Sequence, residues 1–204
     1  MLPVKSKYKI GKRLGPAVFE QCQNQKFALS DARSKNRKDK RGKRGGSDYG
    51  RQLLEKQRVR FTYGLSERQL SNYAKEAFES TDPSAALNRA LETRADNVVY
   101  RAGFAPTRRA ARQMVSHGHI RVNDKRITIP SYRVRVGDVI TVREGSRNST
   151  LFARLNDPEE LGRAKSSWVV LDPALMKAEI IAEPRYSLVE TGIDYSTVFE
   201  FYSR

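Results

Sequence analysis

The apolar residues of this chain change their spacing at Gly118, from intervals of three and four to strict alternation. Intervals of three and four place side chains on one face of a helix, whereas alternation places them on one face of a strand. A chain carrying both in sequence, helices first, must build an α+β fold with its helices segregated from a sheet.

Before Gly118 the helical signals are punctuated by caps. Ser47 precedes the run DYGRQLLEKQRVRFTY, in which Tyr49, Leu53, Leu54 and Phe61 fall near one side, and Gly64 ends it. Ser66 with Gln69 three residues on forms a capping box for a second helix carrying Leu70, Tyr73, Ala74, Ala77 and Phe78. Pro83 opens a longer helix whose stripe, Leu87, Leu91, Ala95, Val98, Val99 and Ala102, runs to Gly103. Thr107 caps the helix RRAARQMVSH, with Ala110, Ala111, Met114 and Val115 inward and Arg108, Arg109 and Arg112 on the exposed faces. Beyond Gly118, Ile120 and Val122 alternate with His119 and Arg121, and Asn123-Asp124 turns the chain towards Ile127 and Ile129. Val134 and Val136 alternate with Arg133 and Arg135, and Ile140 and Val142 follow the Gly137-Asp138 turn. Trp168–Leu171 and Ala178–Ala182 add strand-like pieces, and Tyr195–Tyr202 reads as a helix returning to the helical part. The sheet is expected to be antiparallel, apolar on one side and basic on the other. Trp168 is expected in the core.

Charge is distributed as unevenly as period. The formal net charge is +16, with net +13 in residues 1–60, +6 in 61–150 and −3 in 151–204. Eight of the twelve residues from Arg33 to Arg44 are basic, a stretch too poor in apolar surface to offset its own ordering entropy. It is expected to be disordered until it meets a polyanion, the default partner for so basic a chain.

Catalytic and metal chemistry find little support. There is no phosphate-loop or nucleophile-elbow motif, and His117 and His119 flank Gly118 at the boundary of a helix and a strand, where a Ser-His or Cys-His arrangement would need Cys22 or a serine brought from elsewhere. Cys22 is the single cysteine, and with two histidines it cannot supply a usual four-ligand zinc site. No cofactor, no metal and no enzymatic activity are therefore expected. The chain has no apolar run of the roughly 20 residues a membrane span requires and no apolar signal-peptide centre, so no membrane partner is expected. Arginines spread over a helix and a hairpin fit shape-driven recognition of structured RNA better than base-edge readout of duplex DNA.

The stretch RADNVVYRAGFAPTRRAARQMVSHGHIRVNDKRITIPSYRVRVGDVI, 94–140, closely resembles the RNA-binding module of the small-subunit ribosomal protein S-four family. Similar modules occur in RNA-modifying enzymes and in ribosome-associated factors, which are the alternative readings of that block alone. Two flanking matches, SDYGRQLLEKQRVRFTYGLSERQL at 47–70 and VFEFYSR at the C-terminus, resemble the ribosomal family itself. The resemblance implies a structural constituent of the small subunit. It implies a primary binder of 16S-type ribosomal RNA that grips a multi-helix junction of the 5′ domain and nucleates assembly. It further implies proximity to messenger RNA at the entry channel, contact with ribosomal protein S-five, a contribution to translational accuracy, and a cytoplasmic location, with an organellar ribosome left open.

The RNA-binding residues implied by the resemblance are Thr107, Arg108, Arg109, Arg112, His117, His119 and Arg121 in the module. In the helical domain they are Ser47, Tyr49, Arg51, Lys56 and Arg58, and in the basic stretch Lys40, Arg41, Lys43 and Arg44. The implied architecture is α+β: a basic N-terminal arm at 1–46, and a helical domain at 47–91 completed by 185–204. Into it is inserted an RNA-binding module at 92–184, a helix-turn-helix-like pair plus a small antiparallel sheet. The four-cysteine zinc cluster common in the family is missing, so the metal-free variant is implied. The run RGKRGG at 41–46 stands where the family commonly has Gly-Gln-His-Gly.

Overall fold

A computed structural model describes residues 4, 6–39, 47–156 and 166–203. The chain forms two compact units, one of residues 1–84 with 187–204 and the other of residues 85–186.

The first unit is helical. It contains α1 (Lys7–Leu14), α2 (Gln25–Asp39), α3 (Asp48–Thr62), α4 (Glu67–Phe78), α8 (Leu188–Thr191) and α9 (Tyr195–Tyr202), with short 3₁₀ turns at Pro16–Val18 and Glu20–Cys22. The caps expected from sequence form: Ser47 Oγ accepts the Gly50 amide at 3.1 Å, and Ser66 and Gln69 exchange both bonds of a capping box. α9 does return to α3 and α4. The buried hydroxyls of Tyr63 and Tyr195 meet at 3.2 Å, Gln52 donates to Glu200 at 3.0 Å, and the rings of Phe78 and Phe199 pack edge to face.

The N-terminal residues depart from the sequence expectation. Leu14, Val18, Phe19, Cys22 and Phe27 form a small buried core, against which Tyr8, Ile10, Leu54 and Phe61 pack. Asn24 Oδ1 accepts the Phe27 amide at 2.9 Å, and from there α2 continues through Arg33 to Asp39. Burial of Phe27 anchors the first turn, and the Lys, Arg and Ala residues that follow have high helix propensity and extend it. Lys12 Nζ binds α2 through Ser30 and Ser34 Oγ at 2.8 and 2.7 Å. The expected disorder thus does not hold for Arg33 to Asp39, and the rest of the basic stretch, 40–46, lies outside the described residues.

Gly11 makes this N-terminal core possible. A Cβ there would lie 2.7 Å from Cys22 Sγ and 3.3 Å from the Phe27 ring, inside contact distance. Burial also pushes the Cys22 thiol pKa up, although Lys7 acts in the opposite sense. The thiol therefore serves as packing.

The second unit stacks α5 (Pro83–Glu92, whose first two residues belong to the other unit), α6 (Ala95–Arg101) and α7 (Arg108–Ser116) with a five-stranded antiparallel sheet. The strands are β1 (Ile120–Val122), β2 (Lys125–Arg126), β3 (Val139–Val142), β4 (Val169–Asp172) and β5 (Lys177–Ile180), in the order β2-β1-β3-β5-β4. Ile120, Val122, Ile140, Val142, Ala178 and Ile180 face the core with Val98, Val99, Ala111, Met114, Val115 and Phe152. Trp168 is in this core, as expected.

Two expectations fail here for one reason. The long helix from Pro83 to Gly103 is broken at Thr93-Arg94, where Arg94 is extended and bridges Arg133. The Tyr132 and Pro130 carbonyls accept the Ala95 and Asp96 amides at 2.8 and 3.2 Å, and the Val134 amide donates to the Thr93 carbonyl at 2.9 Å. The backbone at 130–134 therefore satisfies the break between two helices and is not a sheet strand. Its outer neighbours Ile129 and Val136 are exposed.

The Gly11 contact predicts a non-additive pair of substitutions. Gly11→Ala is expected to destabilise by about 1 kcal/mol, overpacking of roughly 1–3 kcal/mol outweighing the better helix propensity of Ala. Removing the opposing sulfur in Gly11→Ala/Cys22→Ala should recover much of that loss. Urea denaturation of the four-member cycle checks this, and strict additivity would refute the close packing.

Candidate nucleic-acid interface

α7 is placed by its two ends. Thr107 Oγ1 accepts the Ala110 amide at 3.1 Å and starts the helix; His117 closes it, and Gly118 follows with φ of 72°. A Cβ at Gly118 would collide with the Arg126 guanidinium, which lies over the helix end and donates to the His117 carbonyl at 3.2 Å. A cation at that position complements the helix dipole as well as its free carbonyl. Gly118 is thus favoured by its left-handed backbone, and a Cβ there would also push the Arg126 guanidinium off the helix end.

The arginines of α7 do not all face solvent. Arg112 donates from Nε to Asp96 Oδ2 at 2.7 Å, and Asp96 also holds Arg94 through two bonds of 3.0 and 2.9 Å. Glu92 takes Arg101 in a two-bond fork, both bonds 2.7 Å, and has Arg108 Nη2 at 3.8 Å. The Arg108 guanidinium also stacks 4.5 Å from the centre of the Tyr100 ring. The Asp96 and Glu92 side chains are each 3% exposed, so these are interior ion pairs. Helical spacing sends Arg108 and Arg112 to the side of α7 that meets α5 and α6. The expectation that both stand on freely exposed faces is corrected accordingly. Their first task is to hold α7 in place, because an unpaired buried carboxylate is costly. Arg109 is half-buried, with its own interactions.

His117 is exposed, and its ring lies 5.9 Å from that of His119. His119 is half-buried, with Nδ1 2.9 Å from Ser146 Oγ and its ring edge-to-face with Phe152. Burial first, then the nearby charges of His117, Arg143 and Arg126, hold its pKa below the ordinary value, so it is neutral at pH 7. Arg121 is on the outward side of β1, opposite Arg126 on β2 and Thr141 on β3.

In the helical unit, Ser47 is spent as the α3 cap, while Tyr49 and Arg51 are exposed on its first turn. Tyr49 sits 5.7 Å from Phe201, and Arg51 is 3.9 Å from Asp48. Lys56 is buried, its Nζ 2.8 Å from Glu67 Oε1 and 4.0 Å from the Phe201 ring centre, so its expected place among RNA-facing residues is corrected. Burial alone would raise the Glu67 pKa, but hydrogen bonds from Lys56 and Tyr202 and the Arg60 charge lower it overall. Arg58 is also inward: it donates to the Leu14 carbonyl at 2.9 Å, to the Gly192 carbonyl at 3.4 Å and to Glu55. It ties α1, α3 and the turn after α8 together. Lys40, Arg41, Lys43 and Arg44 lie outside the described residues.

The carboxylates that sequence reasoning missed are Glu92 and Asp96, the holders of α7. Their signal was two acids four apart on an otherwise apolar stripe, in a region where acids are few. Among the described residues, no group of three or more His, Cys, Asp and Glu side chains is arranged to hold a metal ion, and no helix is long and apolar enough to cross a membrane.

Asp96→Asn is expected to lower stability by about 3–5 kcal/mol, the cost of unpairing buried charges. Lys125→Ala, on an exposed strand residue, should change stability by less than about 0.5 kcal/mol. Urea unfolding followed by circular dichroism distinguishes the two, and equal effects would show that the Asp96 pairs carry no special weight.

The chain is similar to known proteins over most of its length. Residues 4–92 match the model described as the ribosomal protein S4/S9 N-terminal domain, and residues 93–140 match the S4 domain, the boundary falling at the α5–α6 break. A small ribosomal subunit protein uS4 from Roseiflexus sp. is 50% identical over 160 residues, 78% of each chain. The protein of that name from Chloroflexus aurantiacus is 41% identical over 96% of each chain. That from Thermus thermophilus is 46% identical over 78% of this chain and 76% of its own length. Two family models that meet at the α5–α6 break, and relatives this similar over this much of the sequence, establish that the chain belongs to the ribosomal protein S4 family.

Proposed function

We propose that this protein is a structural constituent of the small ribosomal subunit, one that binds ribosomal RNA through its phosphates and performs no turnover. The observation that carries this reading is the sorting of cations in the second unit. Arg94, Arg101, Arg108 and Arg112 are used internally against Asp96 and Glu92, whereas Arg121, Arg126, Arg143 and Lys177 have no carboxylate partner among the described residues. A surface left with uncompensated cations after the interior has been neutralised is suited to a polyanion. The relatives named above are small-subunit proteins, which supplies the polyanion by kind.

In this reading, the primary contact is a multi-helix junction in the 5′ domain of 16S-type RNA, and binding holds those helices in one arrangement during assembly. Thr107, Arg109, His117, His119 and Arg121 contribute from the module, and Tyr49 and Arg51 from the start of α3. Arg108 and Arg112 contribute chiefly by positioning α7. Lys40, Arg41, Lys43 and Arg44 meet ribosomal or messenger RNA at the entry channel. The helical unit faces ribosomal protein S-five, and accuracy of decoding depends on that contact.

Binding of the full chain to a transcribed 5′-domain RNA is expected to weaken steeply with salt. The logarithmic slope should be roughly −0.7 to −0.9 for each phosphate contacted. A titration across a salt series measures it, and a flat dependence would overturn the reading.

A further inference from the structure

The two edges of the sheet are built differently. β2, at one edge, is only Lys125–Arg126, and both residues are exposed cations, a common means of discouraging another strand from pairing there. β4, at the other edge, runs Val-Val-Leu-Asp over Val169–Asp172, with no lysine, arginine or proline inside it.

The register determines which backbone groups β4 leaves over. The Ile181 amide donates to the Trp168 carbonyl at 3.1 Å, so Trp168 and Ile181 are a bonded pair. Bonded pairs alternate along an antiparallel ladder. Val170–Glu179 and Asp172–Lys177 are therefore bonded, while Val169 and Leu171 turn their backbone groups away from β5. Ile180, opposite Val169, obeys the same alternation: its amide donates to the Asp138 carbonyl at 3.2 Å and its carbonyl accepts the Gly137 amide at 2.8 Å, both on the far side. The Val169 amide donates to the Ser166 carbonyl at 3.4 Å. What remains, the Val169 carbonyl with the amide and carbonyl of Leu171, points out of the sheet and has no partner among the described residues.

The side chains beside this edge are apolar and open. Val170 is 53% exposed and Ile181 52%, and Leu171 is half-buried against the edge of the core. Across from Val170 stands Glu179, an exposed acid with no ion pair among the described residues.

We propose that the β4 edge is a docking site for an extended segment of another protein, which adds to the sheet as a further strand and carries a lysine or arginine where it crosses Val170. Its backbone takes the free groups of Val169 and Leu171. On the inner side its residues cover Leu171 and extend the core. On the outer side a long cationic side chain lays its stem on Val170 and brings its charge to Glu179, two strand spacings or about 10 Å away. Other occupants match the edge less well. The chain's own run at 157–165, DPEELGRAK, has no β-branched or aromatic residue and is punctuated by Pro158 and Gly162. A second copy paired through β4 brings no cation to Glu179. A phosphate backbone has no amide to offer the free carbonyls, and Glu179 repels it. The proposal rests on the reading of the protein as a small-subunit constituent only in placing the partner within that subunit.

Crosslinking in assembled subunits tests this. The photoreactive residue p-benzoylphenylalanine is installed at exposed Val170 in cells, small subunits are purified and irradiated, and the adduct is mapped by mass spectrometry. The expected product joins position 170 to a second protein within an extended segment containing Lys or Arg. Adding Leu171→Pro removes the outward amide at a position where an edge strand tolerates proline, and is expected to lower the adduct yield tenfold or more. Glu179→Lys leaves the backbone intact and is expected to lower it severalfold. Thermal unfolding of the purified variants checks the fold, and if Leu171→Pro unfolds, Glu179→Lys carries the comparison alone. No adduct, an adduct confined to RNA, to residues 157–165 or to a second copy, or a yield unmoved by the folded variants overturns the proposal while the small-subunit reading stands. Absence of the wild-type protein from purified small subunits refutes that reading instead.

Discussion

The second unit depends on two buried carboxylates four residues apart on either side of a broken helix. Glu92 ends α5 and Asp96 opens α6, and between them Arg94 leaves the helical conformation to bridge Arg133. Once the helix breaks, its free amides need acceptors, and the Tyr132 and Pro130 carbonyls supply them. Four arginine side chains then converge on the two acids, Arg94 and Arg112 on Asp96 and Arg101 and Arg108 on Glu92. Two of those four come from α7, so the ion pairs that stabilise the break also set the position of the helix after it. The end of α7 leads directly to β1, and the placement of the sheet follows.

That arrangement divides the arginines into two populations that a net charge cannot distinguish. Buried pairs contribute little net stability over an apolar substitute, yet losing one partner is expensive, which makes them effective at specifying a single geometry. The first population fixes geometry; the second, on the outer sheet face, has no carboxylate partner among the described residues. In the helical unit the same division holds: Lys56 and Arg58 join helices together, while Arg51 stays exposed.

Much of this was legible in the sequence because it is locally encoded. Ser47, Ser66 and Thr107 cap the helices they were expected to cap, since a cap bond spans only three residues. The change of period at Gly118 marks the passage from α7 to β1, and Trp168 is in the core. What escaped was settled by partners distant in sequence. The stripe from Leu87 to Ala102 keeps helical spacing through the break, so periodicity alone cannot detect segment 130–134 arriving at Thr93. Arg108 and Arg112 look exposed by composition, and only α5 and α6 packed beside α7 reveal their acids. The order in α2 came from Phe27 in a core shared with Cys22 and Gly11, a few small contacts hidden within a strongly basic region. Tyr49, which its spacing groups with Leu53, Leu54 and Phe61, is exposed at the start of α3, as is Arg51.

The face that Arg121 occupies is decided by the β1–β2 turn and its contact with β3. Asn123 and Asp124 both adopt left-handed backbone, φ 47° and 62°, the geometry of a tight hairpin turn that Asn and Asp tolerate. Asn123 then binds the start of β3 three ways: its amide to the Val139 carbonyl at 2.9 Å, its Oδ1 from the Val139 amide at 2.9 Å, and its Nδ2 to Asp138 Oδ1 at 2.7 Å. A one-residue slip between β1 and β3 would exchange the two faces, sending Arg121 into the core and Ile120 and Val122 into solvent. Burial of those two residues opposes the slip energetically, and the Asn123 clamp opposes it geometrically. The outward placement of Arg121 is therefore as firmly specified as the core beneath it, because the same register determines both.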